Sequence, residues 1–281
     1  VTQFQSISTY TAVVARLNAL RDAMTQERSE QAPRVEFCED CGSVAFEHLT
    51  LYSPRDGRTL IADLSLSLPA GVSLLVRSTS ESAEKALFRA TADLWPSGAG
   101  RILHPGHDAI FFLPERPYLP PGTLREVLLR PCQERWLPDW KIQDTLESLH
   151  LTPTLNKAGG LDRERNWSDL LSLGEQQRLS FARVLLAAPR FVFLDHPSRS
   201  LSECPVGELL NLLRRQGITY FTLGDLEDDP RFYDRLLEIA ADGSWRLRPP
   251  NSDDLRHHDP PSANPGRRRT DVPNRPDKAE D

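Results

Sequence analysis

Short apolar runs alternate with longer segments of helical character through most of the chain. The runs cover residues 72–76, 109–113, 191–195 and 218–223. A strand that is apolar on both faces has to be covered on both sides, which is typical of parallel strands connected by helices. The sequence therefore predicts an α/β fold with a mostly parallel, buried core sheet.

A different strand pattern precedes the first of these runs. Val44, Phe46, Leu49 and Leu51 alternate with polar residues closely enough to favour an antiparallel strand with one buried face. The chain has 281 residues, of which 39% are hydrophobic, so it can bury one sizeable core. The region 42–248 has the right size for a single α/β domain.

The second half of the chain contains three segments in a characteristic order. Residues 171–178 read Leu-Ser-Leu-Gly-Glu-Gln-Gln-Arg, residues 181–186 read Phe-Ala-Arg-Val-Leu-Leu, and residues 191–195 read Phe-Val-Phe-Leu-Asp. This order resembles the signature helix and Walker B strand of an ATP-binding-cassette (ABC) ATPase. With the preceding Asn166-Trp-Ser-Asp, the signature is similar to that of half-transporters of the peroxisomal fatty-acyl type and of bacterial relatives for peptides and cobalamin.

The resemblance implies an ABC ATPase-like domain with a mostly parallel core sheet, an antiparallel β subdomain and a helical subdomain that carries the signature. Helices of that subdomain are expected at Leu124–Leu129 and Lys141–Leu151. The implied ligands are ATP and Mg²⁺. The implied partners are the membrane domain of an ABC transporter and a second nucleotide-binding domain.

The phosphate loop that this family requires is altered at every key position. Where the family has G-x-x-G-x-G-K followed by Ser or Thr, the glycines are replaced by Ser78, Glu81 and Ala83, the lysine by Glu84 and the hydroxyl residue by Lys85. Glycines let backbone N–H groups surround the phosphates, and the lysine adds a positive charge. The glutamate would instead repel a triphosphate, so we expect weak or absent binding of ATP and Mg²⁺.

The replacement residues also make sense without a nucleotide. Ser78 and Glu81 have the spacing of a capping box, and Glu81 with Lys85 forms a favourable i, i+4 pair, which predicts a helix from Glu81 to Trp95. One alternative remains, in which Lys85 acts as a phosphate ligand displaced by one position. Such a shift rotates the side chain by about 100° around the helix.

Four other motifs of the family are also changed. Glu115 replaces the glutamine that helps to hold magnesium, and His196 occupies the position of the glutamate that activates water. Residues 199–202 lack the terminal aspartate of the D-loop, and Asp225 replaces the switch histidine. His196 can be read as a base near neutral pH or as an ordinary surface histidine after a strand. Asp195 and Glu115 are weak magnesium candidates, and we expect no catalytic residue and no resident metal.

The signature itself is intact in sequence. The resemblance implies that Ser172, Gly174, Glu175 and Gln176 contact the nucleotide held by a second domain, while Asp195 would serve a nucleotide in its own domain. Tyr52 lies roughly where the family stacks an aromatic ring on adenine, and either stacking or simple packing would explain this residue.

The two ends of the chain differ in composition from the region between them. Residues 1–29 carry an apolar helical face, which resembles the end of a transporter membrane domain, although packing on its own domain is an alternative. Residues 30–41 read as a polar linker. Residues 249–281 are rich in proline and mixed charge, so they are expected to be disordered.

Charge and hydropathy exclude several classes of protein. A net charge of −6 argues against nucleic-acid binding. The sequence has neither a membrane-spanning run nor a signal peptide, which predicts a cytoplasmic location, peripheral to the inner face of the plasma membrane. A zinc site is conceivable at Cys38 and Cys41, but Cys132 and Cys204 stand alone, and reduced thiols are the simpler interpretation.

These observations favour a degenerate nucleotide-binding domain of an ABC half-transporter, unable to hydrolyse ATP alone, that donates its signature to a partner's ATP site. Two alternatives stay open. The chain can be a non-enzymatic interaction or regulatory domain that uses only the shape of the cassette, or the remnant of a truncated transporter gene.

Overall fold

The computed structural model describes residues 14–18, 21, 34–39, 42–95, 97–129, 137–199, 205–225 and 228–250. Ten strands lie within these ranges: β1 Glu36–Glu39, β2 Ser43–Tyr52, β3 Thr59–Pro69, β4 Leu74–Ser78, β5 Gly98–His104, β6 Ile110–Leu113, β7 Phe191–Asp195, β8 Thr219–Leu223, β9 Arg235–Ile239 and β10 Trp245–Arg248. Most of the predicted tail, most of residues 1–29 and much of the predicted linker lie outside the described residues, although 14–18 and 21 are helical.

Seven α-helices are described after residue 34: α1 Glu81–Thr91, α2 Leu124–Leu128, α3 Asp139–Ser148, α4 Thr152–Ala158, α5 Trp167–Leu170, α6 Leu173–Ala187 and α7 Val206–Arg215. Three short 3-10 helices connect other elements at His107–Ala109, Pro197–Arg199 and Pro230–Phe232.

The larger sheet has six strands in the order β10-β9-β4-β8-β7-β6. All neighbours are parallel except β9 and β10, which pair antiparallel. The central strand β4 is covered on both faces, because Leu75 belongs to a core cluster with the helices α2–α7, whereas Leu74 and Val76 belong to a second cluster with α1. The predicted mostly parallel core sheet is confirmed.

The smaller sheet has the order β1-β5-β2-β3. The pairs β2–β3 and β2–β5 are antiparallel, which confirms the predicted antiparallel subdomain. Two features were not predicted. β1 joins β5 in parallel, and β9 and β10 extend the core sheet beyond β4.

Three phenylalanines form an aromatic ladder on the α1 side of the core sheet. Phe112, Phe193 and Phe221 are register partners on β6, β7 and β8, and their ring centroids lie 5.2 and 4.5 Å apart. Phe88 of α1 meets Phe112 edge to face at 5.6 Å. Stacked rings of this kind contribute beyond their buried area, so the ladder fixes α1 against the carboxyl ends of the strands.

Several boundaries differ from the prediction for local reasons. The helix expected to reach Trp95 ends at Thr91, because Asp93 adopts a left-handed φ of 58° and the chain then leaves the helical path. The strand expected at 72–76 is shifted to Leu74–Ser78, because the preceding Gly71 turns with a φ of 93°. Both changes occur where the chain reverses direction.

Candidate functional site

The carboxyl ends of three parallel strands converge on one cleft. β4 ends at Ser78, β7 ends at Asp195, and β8 leads to Gly224 and Asp225. Parallel α/β sheets place ligands beyond the carboxyl ends of their strands. The cleft has a volume of about 430 Å³ and is lined by Arg77, Ser78, Thr79, Glu81, Glu84, Arg199, Gly224 and Asp225.

The carboxylate of Glu84 turns into the cleft, towards the loop that joins β4 to α1. Glu84 lies in the first turns of α1, is only 4% exposed, and accepts a hydrogen bond from the backbone N–H of Ser78 at 2.9 Å. A helix N-terminus and its preceding loop offer such N–H groups to anions. One of these donors is therefore already satisfied by the protein's own side chain.

The predicted capping box of Ser78 and Glu81 is wrong. The N-cap of α1 is Ser80, which makes no side-chain cap, while the hydroxyl of Ser78 donates to the carbonyl of Ile239 at 3.0 Å. Ser78 is the last residue of β4, and its hydroxyl also accepts from the backbone N–H of Ser80 at 3.0 Å. It is Glu84, and not Glu81, that reaches back to the loop backbone.

Lys85 takes part in the predicted i, i+4 pair. Its ammonium group lies 2.6 Å from the carboxylate of Glu81, and both side chains are more than half exposed. Lys85 is not among the residues that line the cleft. The contact with Glu81 gives the lysine a role on the outer surface of α1, and its use as a displaced phosphate ligand stays a prediction.

His196 is buried and lies between two carboxylates. It is 3% exposed, its Nδ1 is 2.8 Å from Asp195 and its Nε2 is 3.4 Å from Glu84. Burial alone would lower the pKa of His196, but the hydrogen bond to Asp195 and the pairing with Glu84 outweigh it and raise this pKa to about 9. The interpretation of His196 as an ordinary surface histidine is therefore wrong.

A second ion pair closes the opposite side of the cleft. Two nitrogens of Arg199 donate to the carboxylate of Asp225 at 2.6 and 3.0 Å. This bidentate contact holds the pKa of Asp225 below its usual range. Asp225 also lies 3.9 Å from His196, and Arg199 lies 3.9 Å from Glu115. The sequence analysis did not identify Arg199 as a site residue. The available signal was an arginine in the altered D-loop together with an acidic residue at the switch position.

These contacts join the positions of five family motifs into one network. The four carboxylates of Glu84, Glu115, Asp195 and Asp225 face the two cationic groups of His196 and Arg199. No cluster of metal-binding side chains is found among the residues that the structure describes.

The signature lies at a second helix N-terminus with a different arrangement. Ser172 caps α6 in a capping box: its hydroxyl accepts from the N–H of Glu175 at 3.3 Å, and the carboxylate of Glu175 accepts from the N–H of Ser172 at 2.9 Å. Ser172 is exposed and Gly174 is partly exposed. The start of α6 therefore presents its serine and its open backbone to solvent.

Neighbouring side chains fix this N-terminus in place. The carboxylate of Glu175 also accepts from Lys157 at 2.9 Å and from Thr154 at 3.2 Å. Burial raises the pKa of Glu175, but the bonds from Lys157 and Ser172 outweigh it and lower this pKa to about 2. The amide of Gln176 donates to the carbonyl of Leu171 at 2.9 Å.

One contact connects the signature helix to the cleft. The side-chain amide of Gln177, which is 1% exposed, donates to the backbone carbonyl of Glu115. Glu115 in turn faces Arg199. Gln177 therefore anchors the signature helix to the segment that contains Glu115.

Tyr52 lies at the end of β2 and is partly buried. Its backbone N–H donates to Ser97, and its carbonyl accepts from the indole of Trp95 at 3.0 Å. Tyr52 does not line the cleft that contains Glu84, so adenine stacking by this residue stays a prediction.

One of the four cysteines lies within the described residues. Cys38 is exposed with a free thiol, and Cys41, Cys132 and Cys204 lie outside the described residues.

The parallel core sheet, the antiparallel β subdomain and the helix that starts at Ser172 together define an ABC ATPase-like nucleotide-binding domain. A bacterial Atm1-family ABC exporter with ATP bound has the same fold, with a TM-score of 0.59 over 76% of this chain and 39% of the exporter, at 18% sequence identity. No family model matches the chain.

By sequence, the chain is homologous to ABC transporter ATP-binding proteins, including members of subfamily D. It is 35% identical to an uncharacterised ABC transporter ATP-binding protein of Synechocystis over 89% of this chain and 39% of that protein. It is 30% identical to the chloroplastic ABC transporter D family member 2 of Arabidopsis thaliana, over 90% of this chain and 46% of that protein. The lysosomal cobalamin transporter of Homo sapiens is 32% identical over 72% of this chain and 35% of that protein.

The chain thus spans less than half the length of the curated relatives it matches. None of the helices within the described ranges has the length and apolarity needed to cross a bilayer.

Proposed function

We propose that the chain is the nucleotide-binding domain of an ABC half-transporter that cannot hydrolyse ATP in its own site and donates its signature to the ATP site of a partner domain. The observation that carries this proposal is the position of Glu84. Its carboxylate is buried in the phosphate cradle, bonded to the N–H of Ser78 and paired with His196.

Electrostatics oppose a triphosphate at this position. A phosphate charge about 4 Å from the carboxylate of Glu84 would be repelled by roughly 4 kcal/mol at an effective dielectric constant near 20. That energy corresponds to about a thousandfold weaker binding. Moving Glu84 aside would not solve the problem, because it would break the bond to Ser78 and leave the charged His196 without one of its two partners.

The position of the general base supports the same conclusion. A base has to accept a proton near neutral pH, whereas the pKa of about 9 keeps His196 protonated there. Its two ring nitrogens face Asp195 and Glu84. The carboxylate of Asp195, which would hold magnesium through water, is engaged by the same histidine. ATP and Mg²⁺ binding within this domain is therefore proposed to be weak or absent.

The signature retains the features that donation requires. Ser172 is exposed, its backbone is fixed by Glu175, and the positive end of the 15-residue helix α6 lies behind it. A helix N-terminus of this kind favours a phosphate that a second protein presents. Ser172, Gly174, Glu175 and Gln176 are the residues proposed to contact that nucleotide.

The proposed partners follow from this asymmetry. The second domain has to carry an intact phosphate loop, because two copies of this chain would contain two altered loops. A transporter membrane domain completes the assembly, which places the chain at the cytoplasmic side of a membrane, peripheral to its inner face. The transport function is proposed from the relatives named as ABC transporters.

The experiment that tests the proposal is a calorimetric titration of the full chain with Mg-ATP. A matched variant, Glu84→Lys with Lys85→Ser, partly restores the phosphate loop. We expect no heat of binding for the unaltered chain and measurable binding for the variant. Micromolar binding by the unaltered chain, or ATP hydrolysis that depends on Asp195, would overturn the proposal.

Signature donation is separable from a purely structural role. The substitution Ser172→Arg should abolish ATP hydrolysis by the complex that is isolated through this chain, because it blocks the partner's nucleotide. The exposed Asn211→Arg on α7 is the control for added charge. Unchanged hydrolysis in the Ser172→Arg complex would favour the non-enzymatic interaction domain instead.

A further inference from the structure

The hydroxyl of Ser172 uses its proton within the chain. It donates to the carboxylate of Glu175 at 3.0 Å, and it accepts from the N–H of the same residue at 3.3 Å. A serine hydroxyl has a single proton, so it can donate to a partner's phosphate only after it has left this carboxylate. Glu175 and that phosphate therefore compete for one proton.

The carboxylate of Glu175 cannot itself bind a phosphate. An ionised carboxylate only accepts hydrogen bonds, and its negative charge repels another anion. Burial raises the pKa of Glu175, but the bonds from Lys157 and Ser172 lower it to about 2, so this carboxylate is charged at neutral pH. Glu175 therefore contributes to the nucleotide contact through Ser172 and not through its own side chain, and its charge needs a compensating cation close by.

The two oxygens of this carboxylate have separate sets of partners. Oε2 accepts from the N–H and from the hydroxyl of Ser172. Oε1 accepts from the ammonium group of Lys157 at 2.9 Å and from the hydroxyl of Thr154 at 3.2 Å. One oxygen of Glu175 thus bonds the signature, and the other is held by helix α4.

Helix α4 places Lys157 beside the signature. Lys157 lies in the last turn of α4, three residues after the buried Thr154, and residues at this spacing lie on the same face of a helix. The side chain of Lys157 is half exposed, whereas that of Glu175 is only 13% exposed. Among the described residues, Lys157 is the one cation that forms an ion pair with Glu175.

The ammonium group at this position has two physical consequences. Its charge offsets that of Glu175, which reduces the repulsion of a phosphate close to Ser172. A carboxylate whose charge is offset also attracts further donors less strongly, so the hydroxyl of Ser172 leaves it more readily. Both effects favour the contact between Ser172 and a phosphate, and both depend on the charge of Lys157.

We propose that Lys157 is a positioning residue of the signature, which acts through Glu175 to make the hydroxyl of Ser172 available to a partner's nucleotide. This inference rests on the proposed signature donation and deepens it. Lys157 acts without touching the nucleotide, because its ammonium group is bonded to the oxygen of Glu175 that Ser172 does not use.

The test is ATP hydrolysis by the complex that is isolated through this chain, measured over a range of ATP concentrations. Lys157→Met removes the charge but keeps a long side chain, and it should raise KM for ATP about tenfold while kcat changes less than about twofold. Lys157→Arg keeps the charge and should restore KM. The control is Lys141→Met on α3, which removes the charge of another exposed lysine and should leave KM unchanged.

A double substitution separates this mechanism from a direct contact. Once Glu175→Gln has removed the charge that Lys157 compensates, adding Lys157→Met should raise KM by less than about twofold. An undiminished rise of about tenfold in that background would mean that Lys157 binds the nucleotide directly, and would overturn the proposal. An unchanged KM in Lys157→Met alone would overturn it as well.

These outcomes are distinct from a failure of signature donation, which Ser172→Arg tests separately. If Ser172→Arg leaves hydrolysis unchanged, donation fails and the role of Lys157 fails with it. If Ser172→Arg abolishes hydrolysis but Lys157→Met has no effect, donation stands and only the role of Lys157 is wrong. Lys157 is half exposed, so its variants should fold normally, as circular dichroism would verify.

Discussion

The two helix N-termini of the domain use the same chemical device with opposite results. In α1 the carboxylate of Glu84 bonds the N–H of Ser78, and in α6 the carboxylate of Glu175 bonds the N–H of Ser172, each at 2.9 Å. Glu84 lines the cleft and is paired there with His196. Glu175 lies beside its site, pairs with Lys157, and leaves the serine exposed.

The comparison shows that a helix N-terminus is not in itself an anion site. Backbone N–H groups and the helix dipole are present at both ends. The two sites differ in the position of the carboxylate that bonds the N–H groups. Glu84 lies inside the cavity, whereas Glu175 lies outside the site that Ser172 presents. At Glu84, where the family has a lysine, the carboxylate makes a structural contact that the cationic His196 compensates.

The largest expected effect is the loss of the buried contact. Glu84→Ala should lower the free energy of unfolding by about 3 kcal/mol, because it leaves the buried His196 charged beside only one carboxylate. Urea denaturation followed by circular dichroism measures this change. A loss below about 1 kcal/mol would mean that the network contributes little to stability.

A related effect should appear as a dependence of stability on pH. The folded-state pKa of His196, about 9, lies above its ordinary value of 6.5. The stability contributed by the charged imidazole is therefore fully present below pH 6.5 and is lost as the pH rises through 9. Since one pKa unit corresponds to about 1.4 kcal/mol, the rise of this pKa from 6.5 to about 9 predicts a loss on the order of 3 kcal/mol.

The control for this titration is the variant His196→Gln. It removes the titrating group, so its stability should change less than that of the unaltered chain between pH 6.5 and 9. Parallel curves for the two proteins would show that folding does not raise the pKa of His196.

The matched substitution at the signature, Glu175→Ala, should lower the free energy of unfolding less than Glu84→Ala does. Glu175→Ala removes the capping box and the contact with Lys157, and the loss should be about 1–2 kcal/mol. Denaturation alongside Glu84→Ala compares the two helices directly. A loss equal to that of Glu84→Ala would imply that the two carboxylates contribute equally to the free energy of unfolding.

The ion pair between Arg199 and Asp225, across the mouth of the cleft, should contribute less to stability than either of these glutamates. Arg199 and Asp225 are each more than one third exposed, so solvent screens their interaction. Arg199→Gln should therefore cost about 0.5 kcal/mol at low salt and less at high salt. Urea curves at two ionic strengths test this, and a cost above about 2 kcal/mol would be inconsistent with a screened pair.

The smallest effect is expected on the outer surface of α1. Glu81→Ala removes the exposed pair with Lys85, and the midpoint of urea denaturation should not change measurably. This variant is the reference for Glu84→Ala, since both remove a glutamate from the first turns of one helix. A clear shift would assign Glu81 a contact beyond Lys85.

The sequence predicted the fold better than the site. Runs such as Phe191–Asp195 are apolar on both faces, and this local property alone indicates a buried parallel strand. The sequence also indicated that Glu84 replaces a lysine. It did not indicate that this carboxylate turns inward, because the contact with His196 depends on two elements that meet only in the fold.

The wrong sequence predictions for Ser78 and His196 also arise from contacts that form only in the fold. Ser78 was assigned to a capping box with Glu81, yet its hydroxyl bonds Ile239 of a strand that the sequence analysis had not identified. One of the two interpretations of His196 makes it a surface residue, because it follows a strand. In the structure it adopts a left-handed φ of 44° and turns into the protein.

The aromatic ladder has a consequence for spectroscopy. The rings of Phe193 and Phe221 are stacked nearly parallel, with 4° between their planes, so each ring lies in the magnetic shielding cone of the other. Their ring protons should resonate upfield of those of an isolated phenylalanine. A proton spectrum of selectively labelled phenylalanine would then show, for each substitution in the cleft, whether strands β7 and β8 have kept their spacing.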